Sequence, residues 1–247
     1  MRGRGLAPAL TLTLTLTLGA APAAQAEGAL THVLKATLVQ PTTRYDHGVL
    51  GDAIEWGGLQ ITGLPCKACG AVTKTFTLPK TAVFEDVSAR VVDLDGDGRT
   101  EVLVVETDLA LGASLAVYNT TGKVTATPYI GAPHRWLAPA GVGDFDDDGH
   151  PEIAYIDRPH LTRDLVFLRY ADGTLTALAR LPNLTNHRIG DSQISGGVRN
   201  CGQGDELVLA NPAWTAVMAA RLDGAAPRMI AALNTAADLT AALACKP

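Results

Sequence analysis

Two nine-residue stretches carry the densest chemistry in the chain: DLDGDGRTE over residues 93–101 and DFDDDGHPE over residues 144–152. In the first, carboxylates fall at loop positions 1, 3, 5 and 9, as Asp93, Asp95, Asp97 and Glu101. Calcium takes about six to eight oxygens from a flexible loop, and alternating acids on a turning backbone supply them. The main-chain carbonyl of Arg99, at position 7, adds another, and Gly98 permits the sharp turn. The second loop repeats this with Asp144, Asp146, Asp148 and Glu152, with the carbonyl of His150 at position 7 and Gly149 at the turn. About two structural calcium ions are expected.

Three competing readings are weighed against this one. An EF-hand begins with the same acids but needs a bidentate Glu at position 12 and a helix on each side. Position 12 is Val104 in one loop and Tyr155 in the other, each inside an apolar, strand-like run. Magnesium wants stricter octahedral geometry and keeps several waters. A lone acidic, glycine-rich turn is often only solvated; two with one ligand spacing, 51 residues apart, point to metal.

The elements that position the loops follow from a repeat. Aligned on the acid that ends each loop, Asp52, Glu101, Glu152 and Asp205 stand 49, 51 and 53 residues apart. Short β-forming runs follow each acid (AIEWGGLQI, VLVVETD, IAYID and ELVLAN), then further strand-like stretches broken at the turns NTTG and ADG. A unit of about fifty residues with some four strands is the size of a propeller blade. The predicted fold is all-β, a small propeller of about four four-stranded blades over residues 27–247, or five if the termini build an extra one. The repeats run approximately 43–86, 87–134, 135–186 and 187–234. The strand candidate Ala29 to Val39 is expected to complete the last blade and close the ring, and a short helix is expected near Ala236 to Ala244. A β-sandwich is the rival, disfavoured by the period.

The DxDGDGxxE pattern before an apolar strand, at this period, resembles the FG-GAP/VCBS repeats of integrin-type propellers. That resemblance implies calcium in the loops and a propeller used for binding, adhesion or scaffolding, although some members carry enzymatic domains. The outer repeats depart from the motif. Gly197, Arg199 and Cys201 stand where the third repeat has Asp144, Asp146 and Asp148, and Arg199 could supply positive charge in place of an ion. The first repeat keeps Asp52 without the alternating acids.

Residues 1–26 read as a secretory signal peptide: Arg2 and Arg4, an apolar run from Leu6 to Leu18, then Ala24-Gln25-Ala26 as the cleavage signal. The run is too short to span a bilayer, so a secreted or periplasmic protein without a membrane span is expected. Removing the leader leaves 18 basic against 25 acidic side chains, a balance that disfavours nucleic acid as partner. Four cysteines in an exported chain suggest two disulfides, with Cys66–Cys69 and Cys201–Cys245 the favoured pairing. The CxxC lacks the context of a redox motif and the second ligand pair of a zinc site.

A second set of residues is expected on the face opposite the metal loops. His134 and Arg135 align with His187 and Arg188, each pair preceding a first blade strand; Arg158 and His160 follow a second strand. With Trp136 and the CKAC segment they should share one face and could hold a carboxylate, phosphate or sugar acid through arginine contacts. The alternative is that these side chains only lock neighbouring blades together. The expected function is a non-catalytic binding or scaffold module for an unidentified protein or an anionic or carbohydrate ligand. The alternative is a hydrolase or lyase acting on an anionic substrate, with His134, His160 or His187 as acid or base. No catalytic motif such as G-x-S-x-G or H-E-x-x-H occurs.

Overall fold

The computed structural model describes residues 31–224, 226–233 and 239–245. The expected leader lies outside the described residues. Strands β1 (His32–Thr42), β2 (Glu55–Leu64) and β3 (Val72–Thr77) form a first sheet with β2 in the middle. Three antiparallel four-stranded meanders follow. They are β5 (Arg90–Val92), β6 (Glu101–Asp108), β7 (Gly112–Asn119) and β8 (Gly122–Ala126); then β9 (Leu137–Gly143), β10 (Glu152–Asp157), β11 (Asp164–Ala171) and β12 (Thr174–Leu181); then β13 (Gly197–Asn200), β14 (Asp205–Ala210), β15 (Val217–Asp223) and β16 (Ala226–Leu233). The short β4 (Ala82–Phe84) pairs with β2 and β6 and so joins the first sheet to the second. A helix, α1 (Leu239–Leu243), ends the described chain; no described helix is long and apolar enough to cross a membrane.

The sheets lie face to face in chain order, which is why their middle strands read as continuous apolar runs rather than as alternations. Side chains of a strand point alternately to its two faces. In β6, Val102 and Val104 enter the core shared with the first sheet, while Leu103 and Val105 enter the core shared with the third. In β10, Ile153 and Tyr155 face the second sheet and Ala154 and Ile156 the fourth. Each fully buried Leu, Ile, Val or Phe contributes ~1.5–3 kcal/mol before entropy is counted, so these three cores hold the loops' supporting strands in place.

Among the described residues neither end of the stack carries a further sheet. On the first sheet, Gln40 bonds Thr77 at 3.0 Å and Thr62 bonds Thr73 at 2.8 Å, a polar ladder in contact with water. On the fourth, Leu239, Ala242 and Leu243 of α1 cover Val208 and Val217, and Cys201–Cys245 staples the helix down. Among the described residues no hydrophobic cluster joins the first sheet to the fourth.

Three expectations are corrected here. The N-terminal strand does not complete the last sheet: β1 pairs with β2 along its whole length, His32 opposite Leu64 and Thr42 opposite Glu55. The first sheet also runs in the reverse sense to the others. Val33 N–H donates to Thr100 O at 3.0 Å, at the first acid loop, so β1 starts and β2 ends beside that loop. The loop 43–54, with Asp52, therefore lies at the opposite end. The Cys66–Cys69 turn, placed by the sequence reading at that opposite end, lies at the acid-loop end instead. Equal spacing of Asp52 and Glu101 carried no information about strand direction.

Candidate functional site

Each acid loop is anchored by a fully buried apolar residue at position 2, Leu94 in the first and Phe145 in the second. The N–H of that anchor donates to the loop's last acid: Leu94 to Glu101 Oε2 at 3.2 Å, Phe145 to Glu152 Oε2 at 2.9 Å. The first acid organises the turn. Asp93 accepts from Gly96 and Gly98, both at 2.8 Å, and Asp144 accepts from Asp148 at 3.0 Å and Gly149 at 2.9 Å. Gly96, Gly98 and Gly149 sit at positive φ, as such tight turns require.

This wrapping brings carboxylate oxygens of Asp93, Asp95 and Glu101 within 4.8 Å of one another, and likewise those of Asp144, Asp146 and Glu152. An all-oxygen cluster on a turning loop suits a hard cation. Asp97 and Asp148 stand outside these triads. Asp97 Oδ2 accepts from Arg99 at 3.0 Å, and Asp148 Oδ2 accepts twice from Arg169, at 3.1 and 3.0 Å. His150 is exposed, and its N–H donates to Asp148 Oδ1 at 2.9 Å.

The two loops differ electrostatically. In the first, no basic side chain pairs with the triad among the described residues, and burial together with Asp95, Asp97 and Asp93 pushes Glu101 up to about 7. Burial likewise raises Asp95. In the second, the Arg169 guanidinium pairs with Glu152, Asp148 and Asp146. Glu152 and Asp146 are still raised, by burial first, but Arg169 pulls both down. A further arginine, Arg221, pairs with Asp147, which stands at φ 58° where the first loop has Gly96.

In the fourth sheet the corresponding segment is closed by Cys201–Cys245. Arg199 does not replace an ion there. It pairs with Glu206, its cross-strand neighbour, and donates to Ala242 O at 2.8 Å, holding α1.

At the opposite end the structure gathers most of the second predicted set. Trp136 is buried and lies against His160, stacked at 6.4 Å, and His187, edge-on at 4.9 Å between ring centroids. His187 Nε2 must donate to Asp191 O, at 2.8 Å; its Nδ1 therefore accepts from His160 Nε2 at 3.0 Å. Burial, then His187, pushes His160 down to about 4, and burial lowers His187, so both rings are neutral near pH 7. His134 Nε2 bonds the exposed Asp46 at 3.0 Å. Arg158 is held by Asp157 through two hydrogen bonds of 2.8 and 2.9 Å. Among the described residues Arg135 donates only to the neighbouring carbonyl of His134, and Arg188 lies apart, its Cζ 3.9 Å above Trp214.

Four residues here were missed by sequence reasoning. His47 Nδ1 lies 2.5 Å from Glu85 Oε1, and Tyr45 Oη accepts from His134 N–H at 2.8 Å. Glu55, buried beside them, lacks a partner for Oε2 and is pushed up to about 9 by burial, then by Glu85, Asp52 and Asp86. The charged pair Glu85-Asp86, fully buried before β5, was the available signal. The loop 43–54 brings them in, inserting Val49 between the second and third sheets and accepting a bond from Gly190 N–H at 3.1 Å.

Comparison with known proteins bears on the acid loops. Residues 93–155 match the family model described as FG-GAP-like repeat. Among curated proteins, none matches. Among solved structures, the chain is similar to rhamnogalacturonan lyase YesW, at 15% identity and TM-score 0.41, covering 82% of this chain and 42% of that one. It is similar also to the exotype rhamnogalacturonan lyase YesX (15%, TM-score 0.39, 74% and 40%) and to the Bacillus licheniformis rhamnogalacturonan lyase PL11 (12%, TM-score 0.35, 82% and 51%). The chain thus spans about half or less of the length of these lyases.

Proposed function

We propose that the chain is an exported, calcium-binding module of propeller type, in which two ions rigidify the turns between successive strands and the sheets serve as a non-catalytic scaffold. Calcium would be held by Asp93, Asp95 and Glu101 in one loop and by Asp144, Asp146 and Glu152 in the other. Asp97, Asp148 and the carbonyls of Arg99 and His150 would complete the shells. The observation that carries this reading is the first triad: three acids converge with no counter-cation among the described residues, and Glu101 is raised by the burial and repulsion that a bound cation would relieve. The two disulfides suit an oxidising compartment, secreted or periplasmic.

The test is calorimetric titration of chelator-treated protein with calcium. Saturable binding of about two equivalents, lost from the first site in Asp93→Asn, is expected. Absence of saturable binding refutes the proposal. The catalytic alternative draws on the other end of the molecule, where imidazoles and arginines share one pocket.

A further inference from the structure

The pocket at that end has a wall without a carboxylate. His47, His134, Arg135, Trp136, Arg158 and His160 line it, with the exposed Leu161 at its lip. Its volume is about 30 Å³, room for one water or the planar end of one small anion rather than a whole ligand.

Three independent features shape this wall. First, His47 is aimed from behind. Glu85 is fully buried, and its Oε1 faces His47 Nδ1 at 2.5 Å. Its Oε2 accepts from Thr107 at 2.7 Å, and its backbone carbonyl accepts from Trp136 Nε1 at 2.8 Å. The carboxylate therefore fixes the ring, leaving Nε2 without a partner among the described residues. When protonated on both nitrogens, His47 gives Glu85 one N–H and has the other to offer.

Second, the arginines are unevenly compensated. Among the described residues, Arg44, Arg135, Arg163 and Arg188 form no ion pair, and all four lie at this end. Arg44 is engaged by Ala82 O, Arg163 by Pro159 O and Arg188 by Trp214. Arg135, on the pocket wall, spends one N–H on the carbonyl of His134 and keeps the rest of its fork. Asp157 neutralises Arg158, and Asp46 reaches His134 from outside.

Third, His134 and Arg158 hold φ of 53° and 47°, in the left-handed region that non-glycine residues rarely adopt. Such strain persists where surrounding structure over-determines it, and it gathers at ligand sites.

We infer that this pocket binds the carboxylate or phosphate end of a small anionic ligand, gripped by the Arg135 guanidinium and by His47 through Nε2. Guanidinium forks match both oxyanions. His160, kept neutral by burial and stacked beside Trp136, supplies a flat wall together with it. The site stands independently of calcium in the loops.

The experiment titrates the full chain, at constant ionic strength, with sodium acetate, galacturonate and inorganic phosphate separately. Histidine ring resonances are followed by NMR, with His47 assigned through His47→Gln. Saturable shifts of His47 with at least one probe are expected. They should weaken roughly tenfold or more in Arg135→Ala and remain in Arg228→Ala, an exposed arginine at the other end. Arg135→Lys, which keeps the charge without the fork, should fall between. Response to phosphate alone assigns a phosphate ligand, response to acetate and galacturonate a carboxylate, and response to all three the shared anion chemistry. No saturable response to any probe, or an undiminished one in a folded Arg135→Ala, overturns the assignment.

Discussion

Replacing Arg169 by Met keeps the aliphatic stem of the side chain and removes the guanidinium from the second acid loop. Arg169 gives Asp148 two hydrogen bonds and pairs with Glu152, whose side chain is fully buried. Removing one partner of a buried ion pair costs about 3–5 kcal/mol, because the other charge is left stranded. Arg169 itself is 22% exposed, so part of that cost is screened by water, and about 2–3 kcal/mol is the figure for ion-free protein. For a domain of this size it lowers Tm by roughly 4–12 °C. With calcium in the loop, the ion takes over as counter-charge to Glu152, and the difference between variant and parent should fall below about 1 kcal/mol. Thermal unfolding in chelator and in saturating calcium reads both quantities: calcium should raise the Tm of Arg169→Met by more than it raises that of the parent. Equal rises, or an unchanged Tm for Arg169→Met in chelator, would refute the view that the guanidinium and the ion share one role.

Calcium binding should also move protons. Glu101 is held near 7 against its ordinary 4.5, so ion-free folded protein keeps a proton there that the unfolded chain has released. A raised carboxyl makes the ion-free fold lose stability as pH climbs from about 4.5 to about 7. Calcium selects the carboxylate, so titrations in buffers of different ionisation heat should show proton release near pH 6 and little near pH 8; equal release at both values contradicts this. His160 and His187 act in the opposite sense, since rings kept neutral in the fold lose stability as acid protonates them. Among the disulfides, Cys201–Cys245 spans 44 residues and Cys66–Cys69 three. Replacing the first pair by Ser should cost up to about 4 kcal/mol and the second no more than about 2 kcal/mol in urea unfolding; the reverse order would count against α1 being stapled. Phe145→Ala removes a fully buried ring packed edge-on against Phe167 at 5.5 Å. About 3–5 kcal/mol of destabilisation is expected, with weaker calcium binding because the ring anchors the backbone whose N–H positions Glu152.

The second to fourth sheets were legible because their repeats carry apolar runs at a constant distance from an acid, and burial on both faces of β6, β10 and β14 explains those runs. The disulfide pairing and the short C-terminal helix were legible for similarly local reasons. The first sheet was not. Asp52 falls at the right interval by coincidence of length, while the direction of β1 and β2 is set by contacts at Thr100 and Trp56 that are distant in sequence. Of the opposite end, His134, Trp136, His160 and His187 were brought together as their positions between strands implied. His47, Tyr45 and Glu85 belong to no motif, and only the path of the loop 43–54 across that end makes them neighbours. The difference between the two acid loops was equally hidden, since Arg169 stands 17 residues after the acid it neutralises and reaches it through the β10–β11 pairing.

The central claim is that calcium sits in both loops. Crystals grown with calcium, with anomalous differences collected at long wavelength, test it most directly. Two anomalous peaks are predicted, one among Asp93, Asp95 and Glu101 and one among Asp144, Asp146 and Glu152, the second with Arg169 turned away from the ion. Loops closed on water and Arg169, with no peak at either triad in saturating calcium, would contradict the account.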